Sequence, residues 1–297
     1  MQGERYVGKY RLIEPLGEGG EGCVYLAEDE SLSRRVALKC IRQAEKTEEE
    51  IRREAAFLRD LRHPMLPIVY ELFYESDWYL AMEYIEGESL QHYLESHGRV
   101  EEAQGCLWAD ALLDVLCYLH TRKPPVIYRD LKPDNIMICR DGALKLVDFG
   151  GAVLKSYGER REGRMAATVG YAAPEQWPGK GQSPRADERS DLYAFGKILY
   201  YMVTGADPGK PPYTALSIAH YDPLLSVGLE QVIRRCIEEE PEARYQLAEE
   251  VRGDLQKRNL QRRDLWKRKG FAGEFLRHVE KQVYLTQKVG VGLWRLF

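Results

Sequence analysis

The sequence predicts an α+β chain with a β-rich first part carrying one helix and a mainly helical second part. Three observations carry that reading. Short β-like runs between Tyr10 and Ile41 are split by a glycine cluster, a helix that signals its own start follows, and beyond Ser89 apolar residues recur at helical spacing. The length of 297 residues is about twice a typical ~150-residue domain, enough for two lobes with substantial cores. Hydrophobic residues at 44% and charged residues at 30% are ordinary globular proportions and exclude a disordered or fibrous chain.

Tyr10 to Leu16, Cys23 to Ala27 and Arg35 to Ile41 form the first strands, divided by the glycine cluster and the polar turn Glu28 to Ser33; a twisted antiparallel sheet is their simplest arrangement. Thr47 and Glu50 then spell a T-x-x-E capping box, with Ile51, Ala55 and Leu58 at helical spacing behind it. His63, Pro64 and Pro67 end that helix. Leu66 to Tyr74 and Trp78 to Tyr84 form a hairpin around Glu75 to Asp77, and Glu86, Gly87 and Glu88 read as a linker. Past it, Cys106 to His120 is a helix with Leu107, Ala111, Val115 and Tyr118 as its apolar stripe, and Asp191 to Thr204 is apolar on nearly every side, as a buried helix is. Short strands are expected near Asn135 to Cys139 and Ala143 to Val147. Gly150 to Trp177 lacks periodicity, the mark of a long functional loop.

Six cysteines stand far apart with no C-x-x-C pair, which argues against a metal or redox motif and fits a reducing cytoplasm. The first residues lack the apolar core of a signal peptide, and no window holds the ~18 to 20 apolar residues that cross a bilayer. A net charge of −4 carries no nucleic-acid signal, but from Arg252 onward Lys and Arg outnumber Asp and Glu. Phe271, Phe275, Val279 and Val283 give this basic tail an amphipathic character. Two uses stay open for it: packing onto the rest of the chain, or contact with an anionic membrane surface, including as the approach to a membrane segment further on.

The chemistry-bearing residues come in a fixed order. Gly17, Gly19 and Gly22 form a G-x-G-x-x-G between two strands, where glycines let backbone amides approach phosphate oxygens; a plain flexible hairpin is the competing reading. Lys39 sits on a strand after Ala37. Glu54 shares a helix face with Ile51 and Leu58, so its carboxylate needs a cation, either an arginine neighbour or Lys39. The densest signal is Tyr128-Arg129-Asp130-Leu131-Lys132-Pro133-Asp134-Asn135, followed by Asp148-Phe149-Gly150. Phosphoryl transfer asks for metal ligands, an acceptor for a hydroxyl proton and cations, and Asp130, Lys132, Asn135 and Asp148 supply them.

On these motifs, with Ala173-Pro174-Glu175 and the late Arg244, the chain resembles the protein kinase superfamily, specifically bacterial eukaryotic-like serine/threonine kinases, from about Tyr10 to Leu255. The resemblance implies a bilobal fold: an N-lobe over 1–85, hinge and C-lobe over 86–258, and the tail over 259–297. It implies Lys39 on the ATP phosphates with Glu54 as ion-pair partner, Asp130 as catalytic acceptor beside Lys132, and Asn135 and Asp148 holding Mg2+, with Mn2+ as a substitute. It places Val24, Ala37 and Met137 around the adenine, with hinge backbone from Glu83 and Ile85 and with Met82 behind. It also implies protein substrates, autophosphorylation with Ser156, Tyr157 and Thr168 as acceptors, a phosphate-binding Arg129, an Asp191 that holds the catalytic loop, and scope for dimerisation.

Two residues depart from the family pattern: Tyr128 replaces the usual histidine, and Ala167 replaces the glycine before Thr168. Two other functions compete with this one. A nucleotide-binding pseudokinase scaffold is weakened by the full set of Lys39, Glu54, Asp130, Asn135 and Asp148, and a small-molecule phosphotransferase by the intact Ala173-Pro174-Glu175.

Overall fold

The computed structural model describes residues 5–19, 22–41, 47–149, 153–154, 167–177, 186–213 and 215–257. The chain divides into two compact units. The first is Met1–Gly87 with Lys145–Gly150, and the second is Glu88–Leu144 with Gly151–Phe297. The short segment Lys145–Gly150 thus joins a unit that is far from it in sequence.

The first unit is built on a six-stranded antiparallel sheet. Its strands are β1 (Tyr6–Val7), β2 (Tyr10–Gly19), β3 (Gly22–Asp29), β4 (Arg34–Ile41), β5 (Val69–Glu75) and β6 (Asp77–Glu83), in spatial order β1-β2-β3-β4-β6-β5. The glycine cluster does not interrupt the sheet; it is the end of the β2–β3 hairpin, with Gly17 opposite Val24, Glu18 opposite Cys23 and Gly19 opposite Gly22. Two register shifts, between Leu12 and Glu14 and between Pro15 and Gly17, accommodate Pro15, which has no N–H for the ladder. One sheet face buries Tyr10, Ala27, Val36, Leu38, Tyr79 and Ala81. Trp78, Leu80 and Ile41 pack with Ile51 and Ala55 of the helix α1 (Glu48–Asp60).

The start of α1 is set by its sequence. Thr47 Oγ1 accepts from Glu50 N, and Glu50 Oε2 accepts from Thr47 N at 2.8 Å, so two otherwise orphaned donors are satisfied reciprocally. Glu48 to Glu50 also place negative charge at the positive end of the helix dipole. The helix ends at Asp60, before His63 and the prolines are reached.

The second unit is mainly helical. After a short strand β7 (Gly87–Ser89) come α2 (Leu90–His97), α3 (Glu102–His120), the strands β8 (Val126–Ile127) and β9 (Ile136–Cys139), then β10 (Leu144–Leu146), whose last two residues belong to the first unit, β11 (Val153–Leu154), α4 (Glu188–Thr204), α5 (Val227–Cys236) and a helix over 248–257. β8 pairs antiparallel with β11. α4 is the buried helix the sequence predicts, begun by an Asp187 cap and ended by Gly205 in a left-handed conformation. Gly196 on α4 has a packing reason: a Cβ there would lie 2.5 Å from Cys236 Cβ, so only glycine lets α5 approach.

One expectation fails on α3. Of the predicted stripe, Val115 is buried but Leu107 is 59% exposed; the buried face runs through Trp108, Ala109, Leu112, Leu116 and Leu119. The helix is apolar over so much of its circumference that several stripes fit the sequence, and packing against α4 selects one of them.

Candidate active site

The first unit brings Lys39 and Asp148 together. Lys39 lies on β4, opposite Val24 of β3 and Leu80 of β6. Its Nζ is 3.0 Å from Asp148 Oδ1, with the lysine 15% and the aspartate 52% exposed. Asp148 adopts φ 61, the left-handed region that non-glycine residues seldom occupy, while Phe149 beside it is buried. Ala37, on the same face of β4 as Lys39, pairs with Met82 of β6. Glu54 lies within α1, but its side chain is outside the described residues.

Glu83, at the end of β6, is tied down more firmly than its sequence context suggests. Lys145 Nζ reaches both of its carboxylate oxygens, at 3.1 and 3.0 Å, and Ile68 N donates to Oε2 while Glu83 N donates to Ile68 O. Leu146 N in turn donates to Met65 O. The segment that carries Asp148 is therefore hydrogen-bonded into this unit just before it. Ile85 is buried two residues on.

The second unit holds the other group. Arg129, at φ 70, turns the chain sharply before Asp130, and Asp191 at the start of α4 fixes that turn. Its two oxygens each accept a backbone bond of 2.8 Å, from Tyr128 N and Arg129 N, and Oδ2 also meets His120 Nε2 at 2.9 Å. Gln176 Nε2 donates to Arg129 O from the other side. So held, the Asp130 carboxylate meets Lys132 Nζ at 2.9 Å and Asn135 Nδ2 at 3.2 Å on Oδ2, and Thr168 Oγ1 donates to Oδ1 at 2.8 Å. Lys132 Nζ lies 3.3 Å from the same Thr168 hydroxyl. Asn135 also donates to the Asp130 carbonyl, so its amide nitrogen is committed and its oxygen is turned away from Asp130. Met137 lies on β9 and is partly buried.

A buried ion pair supports the segment after Thr168. Arg244 grips Glu175 with Nη1 to Oε1 at 2.7 Å and Nη2 to Oε2 at 2.8 Å, and spends its remaining donors on the carbonyls of Glu238, Glu239 and Arg189. Burial alone raises the pKa of Glu175, but the bonds from Arg244 and Ser190 outweigh it and hold the carboxyl below its ordinary value. Burial lowers the pKa of Arg129.

The sequence pattern of the protein kinase domain matches residues 10–255. The chain belongs to the protein kinase family. The serine/threonine-protein kinase PrkC of Bacillus subtilis is 31% identical over 85% of this chain and 41% of its own length. PknA of Nostoc is 34% identical over 84% of this chain and 47% of its own length. This chain therefore spans less than half of these bacterial relatives. Aurora kinase B of Xenopus tropicalis is 32% identical over 80% of this chain and 67% of its own length. The crystal structure of the Mycobacterium tuberculosis PknI kinase domain matches with TM-score 0.65 and 21% identity, covering 86% of this chain and 99% of that one, and so shares the fold.

Within this kinase domain the structure places Gly17, Gly19, Gly22, Val24, Ala37, Lys39, Glu83, Ile85 and Asp148 in the first unit, and Asp130, Lys132, Asn135 and Met137 in the second. It joins Lys39 to Asp148, and Asp130 to Lys132 and Asn135. Ser156, Tyr157 and the basic tail from 258 onward lie outside the described residues. Sequence reasoning passed over Lys145, His120 and Gln176. None carries a motif of its own; each is recognisable only through a partner, Glu83, Asp191 or the Arg129 carbonyl, from which it is separated by tens of residues.

Proposed function

We propose that this chain is a serine/threonine protein kinase that transfers the γ-phosphoryl group of ATP to Ser and Thr hydroxyls of proteins, itself included. The observation that carries the reading is the Thr168 hydroxyl, which donates to Asp130 at 2.8 Å with the Lys132 ammonium 3.3 Å from the same oxygen. A substrate hydroxyl brought to Asp130 finds the acceptor its proton needs as the oxygen attacks phosphorus, while Lys132 offsets charge nearby.

Lys39 is the cation for the α- and β-phosphates; its ammonium already rests against a carboxylate, Asp148, so it is oriented before nucleotide arrives. The amides of the Gly17 to Gly22 hairpin approach the phosphates, and the Glu83 and Ile85 backbone receives the adenine between Val24, Ala37 and Met137. The donors also fit magnesium: Asp148 offers a carboxylate and Asn135 a carbonyl oxygen turned away from Asp130, hard oxygens of the kind that bind Mg2+ with substrate phosphates and water. Bound there, the ion neutralises phosphate charge. Activation by phosphorylation between Gly150 and Thr168 follows from Arg129, a guanidinium whose burial disfavours its charge and for which a phosphate is a strong counterion. None of the six cysteines is in a disulfide, which fits a reducing cytoplasm as the place of action.

The pseudokinase reading finds no support in a catalytic loop whose Asp130, Lys132 and Asn135 side chains meet one another. The test is γ-phosphate transfer from labelled ATP to a generic basic protein and to the chain itself, by wild type and Asp130→Asn. Incorporation by wild type alone is expected; equal incorporation by both would refute the assignment.

A further inference from the structure

The cysteines that stand apart in the sequence do not all stand apart in the fold. The β3–β4 ladder pairs Val24 with Lys39 and Tyr25 with Leu38. Both strands continue past the Val24–Lys39 rung, β3 from Gly22 and β4 to Ile41, so the same register carried one step on would face Cys23 with Cys40. Side chains alternate along a strand, so Val24 and Lys39 share one face while Cys23 and Cys40 share the other. On that other face Cys40 packs against the Tyr10, Ala27, Val36, Leu38, Tyr79 and Ala81 cluster. Neither cysteine is in a disulfide, and both are only partly buried, within reach of a small reagent.

Directly opposed residues on antiparallel strands hold their Cβ atoms roughly 4.5–5.5 Å apart. A disulfide needs roughly 3.5–4.5 Å. The closing movement is small. The neighbouring phenols report the same juxtaposition: burial raises the pKa of Tyr25, and after it the sulfurs of both Cys23 and Cys40 do so too, while Tyr79 is pushed up to about 12 by burial and then by Cys40.

We propose that Cys23 and Cys40 form a dithiol site that small-molecule disulfides oxidise to a cross-strand bond, clamping the glycine hairpin to the strand of Lys39. One thiolate attacks the reagent, forming a mixed disulfide and releasing one small thiol. The second thiolate then attacks the protein sulfur of that adduct and releases the other small thiol, so the chain loses two hydrogens and the reagent gains them. Cys23 also pairs with Glu18 across the hairpin, so the new bond ties β3, the partner of β2, to β4 one residue from Lys39. The clamp's effect on nucleotide rests on the kinase reading above; the bond itself does not.

The test treats the purified chain with oxidised glutathione and digests it without reduction. Mass spectrometry should find the Cys23 and Cys40 peptides joined, separable by dithiothreitol, and not joined in Cys23→Ser. Phenylarsine oxide, which needs two adjacent sulfurs, should bind wild type tightly and either single serine variant weakly. Separate glutathione adducts on Cys23 and Cys40 with no joined species, or arsenical binding indifferent to both variants, would overturn the site. Neither readout involves phosphate transfer, so failure here is distinct from failure of the kinase reading. In the transfer assay the joined form should show a KM for ATP raised several-fold and restored by reductant; a joined form with unchanged KM would overturn the clamp.

Discussion

Replacing Asp191 by asparagine tests whether the turn before Asp130 is held from behind. The carboxylate accepts from two backbone donors on different oxygens, Tyr128 N on Oδ2 and Arg129 N on Oδ1, both at 2.8 Å. An amide has one acceptor oxygen. If that oxygen keeps Tyr128 and His120, the Arg129 N–H faces an NH2 group and loses its bond. A hydrogen bond to a charged group contributes about 1.5–3 kcal/mol. The left-handed backbone it holds at Arg129, φ 70, costs a comparable ~1–3 kcal/mol, so the turn relaxes once the bond is gone. If the loss falls on the placement of Asp130, kcat should drop about 10- to 150-fold, at ~1.4 kcal/mol per factor of ten. The KM for ATP should change little, because Lys39 and Asp148 belong to the other unit. The assay is steady-state phosphate transfer with ATP varied, beside hydrogen exchange at Tyr128 and Arg129. Near-wild-type kcat with unchanged protection of those two amides would refute the reasoning.

Four further outcomes follow. Arg244→Met leaves Glu175 buried without its partner and should cost about 3–5 kcal/mol in urea unfolding; a loss below about 1 kcal/mol would show the pair is dispensable. Because the folded pKa of Glu175 is depressed, its stabilisation is complete above the unfolded value of roughly 4.3 and is lost as pH falls through the folded value, so wild type and Glu175→Gln should converge in stability on acidification. Gly196→Ala should destabilise by about 1–3 kcal/mol, because its new Cβ meets Cys236 Cβ at 2.5 Å and Ile237 Cγ2 at 2.8 Å; an unchanged urea midpoint would contradict that packing. Asn135→Ala should shift the Mg2+ dependence of transfer to higher concentration more than it shifts the KM for ATP, and an unaltered Mg2+ titration would remove Asn135 from the metal's ligands.

What the sequence made legible was the part written in local chemistry. The Thr47 and Glu50 box announces α1 because both partners of the cap lie within one turn. The hairpin of β5 and β6 closes at Ser76, φ 61, inside the turn expected there. The catalytic-loop motif keeps Asp130, Lys132 and Asn135 within six residues, so their meeting is almost assured by proximity. What stayed hidden depends on partners distant in the chain. Lys145 has no signal until Glu83 is beside it, 62 residues away in sequence. The wrong stripe on α3 and the unnoticed opposition of Cys23 and Cys40 share this cause: periodicity and spacing describe one segment, and the deciding term is the neighbouring segment that packs on it.

Under the proposed function, Lys39, Asp148, Asp130 and Asn135 all act on one nucleotide. A crystal structure with Mg2+ and a non-hydrolysable ATP analogue tests it most directly. Lys39 Nζ is expected on α- or β-phosphate oxygens, with Asp148 and Asn135 oxygens on the metal and the γ-phosphate facing Asp130. Nucleotide bound with its phosphates and metal away from these four residues would contradict it.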